Sequence, residues 1–470
     1  MTSDDLAFAD LATLRKLLDR RSVSSVELTR LALDRLTTYG PVYNAVVSVL
    51  HERALREAER ADRELHAGTR RSPLHGIPYG VKDLLATPDA PTTWGAEPYR
   101  KQRFNFDATV VERLSDAGAV LVAKLAMVEL AGGFGYNDAD ASFTGPGRTP
   151  WNWHYWSGGS SSGSGIAVAA GLVPFAIGSE TSGSILFPSL ANGVNGLRPT
   201  YGRVSRHGAM ALCWSLDKLG PLARSAADTE TVLRVIAGAD VHDRTAETQP
   251  LRAPRRRPRI AVLTHATRGC QVAVKDNFNA SVAVLRTFCD VEEATLPDLP
   301  YGAVVGTIVA AEGAAAFRDL IESGRSRELR SSDDRVGGYV AYATRAVDYL
   351  DAQRRRPQMI AALNHAFGAY DAIVAPTVNT VTYPVGVPFD KAYTDPTLQT
   401  ALDLINPGAV AGLPALAMPN GFGEHGLPTS FQLLGTAWGE AALTAIGRRY
   451  QTTTTFHRAR PTLLRNSPAL

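Results

Sequence analysis

The chain has 470 residues, 45% hydrophobic and 20% charged, the balance of a packed globular protein and not of a disordered one. Lysine and arginine total 49 against 46 aspartates and glutamates, and a net charge of +3 is too even to point to nucleic acid or a membrane surface. Length allows about three domains at one per ~150 residues, or one large α/β domain. The opening MTSDDLAFAD is acidic where a signal peptide would be basic and then apolar, so a cytoplasmic protein is the default reading. Cys213, Cys270 and Cys289 are far apart with no CxxC pair, which reads as thiols in a reducing compartment and gives structural zinc no support.

Residues 1–69 predict a helical layer. Within it Ser24 and Glu27 have capping-box spacing, and Leu28, Leu31, Ala32 and Leu36 recur on one face. A charged helix follows over 50–67. From there short apolar runs alternate with helical patterns: strands are predicted over 77–81, 119–123, 173–177, 260–263, 372–375, 415–418 and 430–434, and helices over 108–114 and 166–170. Such alternation predicts a largely parallel or mixed sheet with helices on both faces. The segment 250–259, with RAPRRRPR, is the one candidate boundary, and it reads best as a solvated loop. The uncharged stretch 404–423 is broken by Asn406, Pro407, Pro414, Pro419 and Asn420 and is a poor membrane span. No repeat of 20–50 residues is visible.

The ten histidines form no HExxH, no HxH pair and no Cys/His cluster, so a metal mechanism has no basis. SGGSSSGSG at 157–165 has three readings. It is short for a linker, lacks the lysine of a phosphate loop, and fits a GxSxG elbow around Ser161 only if WNWHYW before it were a strand. GSETSGS at 178–184 follows a predicted strand, where small residues let backbone N–H groups approach a substrate. On its own it is also an ordinary strand-to-helix connection. Lys82, near the end of the apolar run in GIPYGVKD, is a base if buried; otherwise it pairs with Asp83 or snorkels.

Taken together, Lys82, Ser160 in GGSSSGS and Ser184 in GSETSGS stand in the order and spacing of the amidase signature family, which the chain resembles. The likeness continues through SPLHGIPYGVKDLLATPDAPTTWGA, GLRPTYGRVSRHGAMALCWSLDKLGPLARS, AGADVHDRTA, DYLDAQRRR, AGLPALAMPNGF and GLPTSFQLLG. The resemblance implies a single domain over 1–470, an α/β/α fold with a mixed central β-sheet covered by helices. It implies an amidase cleaving a carboxamide C–N bond through a Ser–Ser–Lys triad. Ser184 would be the nucleophile, Ser160 the proton bridge and Lys82 the neutral base, with backbone N–H groups of Thr181, Ser182, Gly183 and Ser184 as the oxyanion hole. Trp94, Met127 and Trp214 lie in segments that the family uses around its acyl pocket. No cofactor and no metal are implied. The expected partner is a small-molecule amide, without nucleic acid or membrane, and a homodimer is compatible with the reading.

Four positions depart from the family pattern: Glu180 stands for the usual Asp, Ser182 for Gly, Leu186 for Arg and Ser157 for Pro. They bear on loop geometry and substrate more than on reaction class. Three other readings stay open. One is the amidase subunit of a tRNA-dependent amidotransferase, although 307–356 does not resemble its glutamine-side motifs. The others are a biosynthetic acyltransferase and a non-catalytic binding protein of the same fold.

Overall fold

The computed structural model describes residues 1–395, 398 and 404–468. Among them, eleven strands form one mixed sheet. In chain order they are β1 (Val46–Val49), β2 (Pro78–Lys82), β3 (Val120–Leu125), β4 (Phe175–Glu180), β5 (Asn195–Arg198) and β6 (Lys218–Ala223). There follow β7 (Arg259–Leu263), β8 (Asp290–Ala294), β9 (Ala372–Pro376), β10 (Ala415–Phe422) and β11 (Pro428–Leu434). Their spatial order is β1-β3-β2-β4-β6-β5-β10-β11-β9-β7-β8. The sheet is α/β and mixed, as the alternating pattern predicts. β2 runs parallel to β3 and β4, whereas β6 is antiparallel to β4.

Every residue of β2, β3, β4 and β6 is buried. Strands buried on both faces read as apolar runs and not as alternations, and β2, β3 and β4 do so in the main. The N-terminal helices are α1 (Ser3–Ala7), α2 (Leu11–Asp19), α3 (Ser25–Tyr43) and α4 (His51–His66). At α3 the capping box forms in full: Glu27 N–H donates to Ser24 Oγ at 3.1 Å, and Ser24 N–H donates to the Glu27 carboxylate at 2.7 Å. Leu28, Ala32 and Leu36 are buried on its inner face. The predicted layer is not purely helical, because β1 interrupts it and pairs antiparallel with β3 at the sheet edge. Its VVSV sequence is too short to show a period but suits a strand through its three valines.

Three helices frame the middle of the sheet: α5 (Thr109–Asp116), α6 (Ser162–Ala169) and α7 (Leu186–Asn192). At Gly163 of α6 a side chain is sterically excluded, since a Cβ would lie 2.3 Å from the Ala45 carbonyl oxygen and 2.5 Å from Ala126 N. That close approach seats α6 against the backbone flanking β1 and β3. The arginine-rich segment 250–259 runs into β7 and is tied down by ion pairs from Arg256 to Asp371 (2.7 Å) and from Arg257 to Asp290 (2.9 Å). Among the described residues no helix is long and apolar enough to cross a membrane.

Candidate active site

The parallel strands β2 and β4 are neighbours, so their C-terminal ends open on the same edge of the sheet, where α/β proteins place ligands. Lys82 ends β2 and is fully buried. Its Nζ donates to Ser160 Oγ at 2.7 Å and to Ser179 Oγ at 2.8 Å. Ser160 lies in the loop before α6, after a cis Gly159–Ser160 peptide, and Ser179 lies on β4. Burial pushes the Lys82 pKa down from 10.5 to about 7, against the upward pull of the Asp217 and Glu180 carboxylates. The adjacent Asp83 forms no ion pair with Lys82, because its carboxylate takes Lys124 at 3.1 Å and Thr93.

Residues 181–185 connect β4 to α7 and carry Ser184. Gly183 sits at φ +91°, a conformation that disfavours any side chain. The two glycine- and serine-rich loops are joined directly. Ser161 N–H donates to the Ser184 carbonyl at 3.3 Å, and Ser161 Oγ donates to the Ser179 carbonyl at 3.1 Å. Among the described residues, the N–H groups of Thr181, Ser182, Gly183 and Ser184 donate to no protein acceptor. Four adjoining free donors beside a serine are what an oxyanion needs. Thr181 is also anchored from behind, by Asp217 through its hydroxyl and by Lys218 through its carbonyl.

Glu180 braces the turn from beneath. One carboxylate oxygen accepts the N–H groups of Ile185 (2.8 Å) and Leu186 (3.0 Å), and the other pairs with buried Arg198 at 2.7 Å. Burial alone would raise its pKa, but Arg198, Lys218 and the two N–H groups outweigh it and hold the carboxyl below the ordinary range. Leu186 packs in the core, and Ser157 is buried with its carbonyl accepting from Asn192 Nδ2 at 2.7 Å.

Ser184 opens into a cavity of about 340 Å³. Its walls are aromatic and aliphatic: Tyr136, Trp156, Phe187, Tyr383, Phe389, Leu212, Val309, Val378 and Ile405. Among the described residues none of its lining is charged. The structure puts none of the three expected pocket residues there. Met127 is fully buried in the core, and Trp94 packs on Tyr99, Phe104 and Phe317. Trp214, 44% exposed, lines a second cavity of about 210 Å³ with Ser179 and Asp217. The two cavities share Ala131, Thr181 and Leu212. Sequence reasoning missed Ser179, Asp217 and Lys218. Their signal lies in the β4–β6 register, which sets Ser179 opposite Leu219 and Glu180 opposite Lys218.

The family described as Amidase matches residues 27–444, nearly the whole chain. The chain belongs to the amidase signature family. Members of this family are enzymes of amide C–N bond cleavage. One relative is a glutamyl-tRNA(Gln) amidotransferase subunit of Roseiflexus sp. (strain RS-1), 37% identical over 96% of this chain and 98% of its own. Among solved amidase signature structures, the native peptide amidase from Stenotrophomonas maltophilia superposes with a TM-score of 0.81 at 30% identity, over 97% of this chain and 98% of that one. A chain from a vestigial complex that reveals the origins of an s-triazine catabolic enzyme gives 0.87 at 29% identity, over 97% and 100%.

Proposed function

We propose that this chain hydrolyses the C–N bond of a small carboxamide with an apolar or aryl acyl group, through an acyl-enzyme on Ser184. The observation that carries the reading is a fully buried lysine bonded to Ser160 at 2.7 Å beside the Ser184 loop, where burial pushes its pKa down to about 7. Neutral Lys82 takes the Ser160 proton as Ser160 takes that of Ser184, whose Oγ attacks the carbonyl carbon. The oxyanion forms toward the N–H groups of Thr181, Ser182, Gly183 and Ser184. Collapse breaks the C–N bond while Ser160 returns a proton to the amine and recovers one from Lys82. Water, activated through the same pair, then releases the acid.

The uncharged aromatic cavity supports an apolar acyl group, and its volume is at the small end of the roughly 300–1,000 Å³ of ligand pockets. Intact-mass measurement after mixing with a panel of aryl and aliphatic amides tests the reading. An adduct of acyl mass on the wild type, absent from Ser184→Ala, is expected; turnover by Ser184→Ala would overturn it.

A second reading, the amidase subunit of a tRNA-dependent amidotransferase, is favoured by the 37% identity over 96% of the chain to a protein of that name. Free glutamine brings an ammonium and a carboxylate; the described lining of the Ser184 cavity is uncharged, and Arg206, Asp217 and Asp243 line the adjoining cavity instead. Ammonia release from glutamine, with no acyl adduct from aryl amides, would reverse the ranking. Acyl transfer in place of hydrolysis is read from the products formed with competing amines.

A further inference from the structure

Two consecutive residues hold Thr181 from behind the loop. Thr181 Oγ1 donates to Asp217 Oδ1 at 2.6 Å, and Lys218 Nζ donates to the Thr181 carbonyl oxygen at 3.3 Å. Asp217 is itself fixed, since its second oxygen accepts the N–H groups of Leu212 (2.9 Å) and Cys213 (2.8 Å). Lys218 is 2% exposed and stands opposite Glu180 across the β4–β6 ladder. The Glu180 carboxylate, however, is taken by Arg198 and by the Ile185 and Leu186 N–H groups. Among the described residues the Thr181 carbonyl is the one hydrogen-bond acceptor of Lys218 Nζ. A buried amine with a single neutral acceptor is a costly way to fill space that methionine would fill more cheaply.

The direction of that bond matters for the loop. The Thr181–Ser182 peptide is trans, so its carbonyl and its N–H point opposite ways in one plane. The carbonyl faces Lys218, which does not line the Ser184 cavity; the N–H of Ser182, which does line it, therefore faces away from Lys218. An N–H donor on the carbonyl oxygen also polarises the amide and strengthens its N–H as a donor.

We propose that Lys218 is a positioning residue for the oxyanion-binding loop: by holding the Thr181 carbonyl it aims the Ser182 N–H at the oxyanion formed on Ser184. The proposal rests on the Ser184 reading above, and the test separates the two. In Lys218→Met the donor is lost with little change of volume. On an amide that acylates the wild type, kcat is expected to fall by about 10²-fold with KM within about twofold, the pattern of an interaction made only in the transition state. A trifluoromethyl ketone carrying the same acyl group, which forms a tetrahedral adduct on Ser184, should lose affinity by a similar factor. The product acid should bind as before, and the melting temperature should not drop. Lys218→Arg, which keeps an N–H donor, should recover most of the loss.

Unchanged kcat, or a fall in kcat with undiminished ketone affinity, would overturn the proposal. If Lys218→Met does not fold, Lys218→Gln, whose shorter side chain stops short of the carbonyl, is measured in the same way. Absence of any acyl adduct on the wild type is a failure of the Ser184 reading. An adduct on the wild type with Lys218→Met unaffected is a failure of this inference alone.

Discussion

Lys82 is the residue on which the proposed chemistry turns, and its environment fixes a pH dependence. With burial pulling its pKa from 10.5 to about 7, the neutral base is the minor form in acid and the major form above that point. The logarithm of kcat/KM for a slow amide should therefore rise with unit slope up to about pH 7 and then level off. Lys82→Met should lose about 10²–10⁴-fold and the acid limb with it, as measured by initial rates across the range. Ser179 refines this. Its Oγ accepts from Lys82 Nζ at 2.8 Å, and the ammonium gains more from that bond than the amine does. Removing the acceptor in Ser179→Ala should shift the acid limb to lower pH while leaving the plateau within about tenfold. A limb that moves up would contradict the assigned direction of the bond.

At the scale of the element, the turn between β4 and α7 is held by a buried ion pair. Glu180 and Arg198 are both fully buried, 2.7 Å apart, and the same carboxylate receives the first N–H groups of α7. Glu180→Gln leaves the guanidinium buried without its countercharge and should cost about 3–5 kcal/mol in urea unfolding. The elements that carry the site differ in how well the sequence announces them. β2, β3 and β4 are apolar runs between turn residues and are readable as strands. β6 is not, because KLGPLA opens on a lysine and contains a glycine and a proline, which argue against a central strand. It is central all the same, with Pro221 opposite Ile177 and the buried Lys218 opposite Glu180. β5 hides for a similar reason: Asn195 and Arg198 are buried polar residues whose partners, Gln451 and Glu180, no local pattern reveals. Lys82 and Ser160 could be matched from their motifs, whereas Tyr136, Trp156, Phe187, Tyr383 and Phe389 meet in one cavity only through the tertiary fold.

For the whole molecule, the buried charges make stability a function of pH in two opposing directions. Lys82 and Lys218 both fall from 10.5 to about 7 on folding, so between those values the unfolded chain binds protons that the folded chain lacks. Their contribution is present above 10.5 and is lost as pH falls to about 7, at about 1.4 kcal/mol per pH unit for each lysine inside the window. Asp228 acts with the opposite sign. Its carboxyl is buried near Asp10, accepts the Leu11 N–H at 3.1 Å at the start of α2, and is raised from 3.8 to about 7. The folded chain therefore holds a proton that the unfolded chain releases, and that contribution is present below 3.8 and lost as pH rises to about 7. The three groups together place the minimum of their summed contribution near neutrality, between an acid-side and an alkaline-side gain. Urea unfolding of Lys218→Met from pH 7.5 to 10 should show a slope of stability against pH shallower by about 1.4 kcal/mol per unit than the wild type. Asp228→Asn should leave that alkaline slope intact and flatten the dependence between pH 4 and 7. Identical alkaline slopes for Lys218→Met and the wild type would mean that Lys218 keeps its proton in the folded protein across this range, as an ammonium held in place by the Thr181 carbonyl.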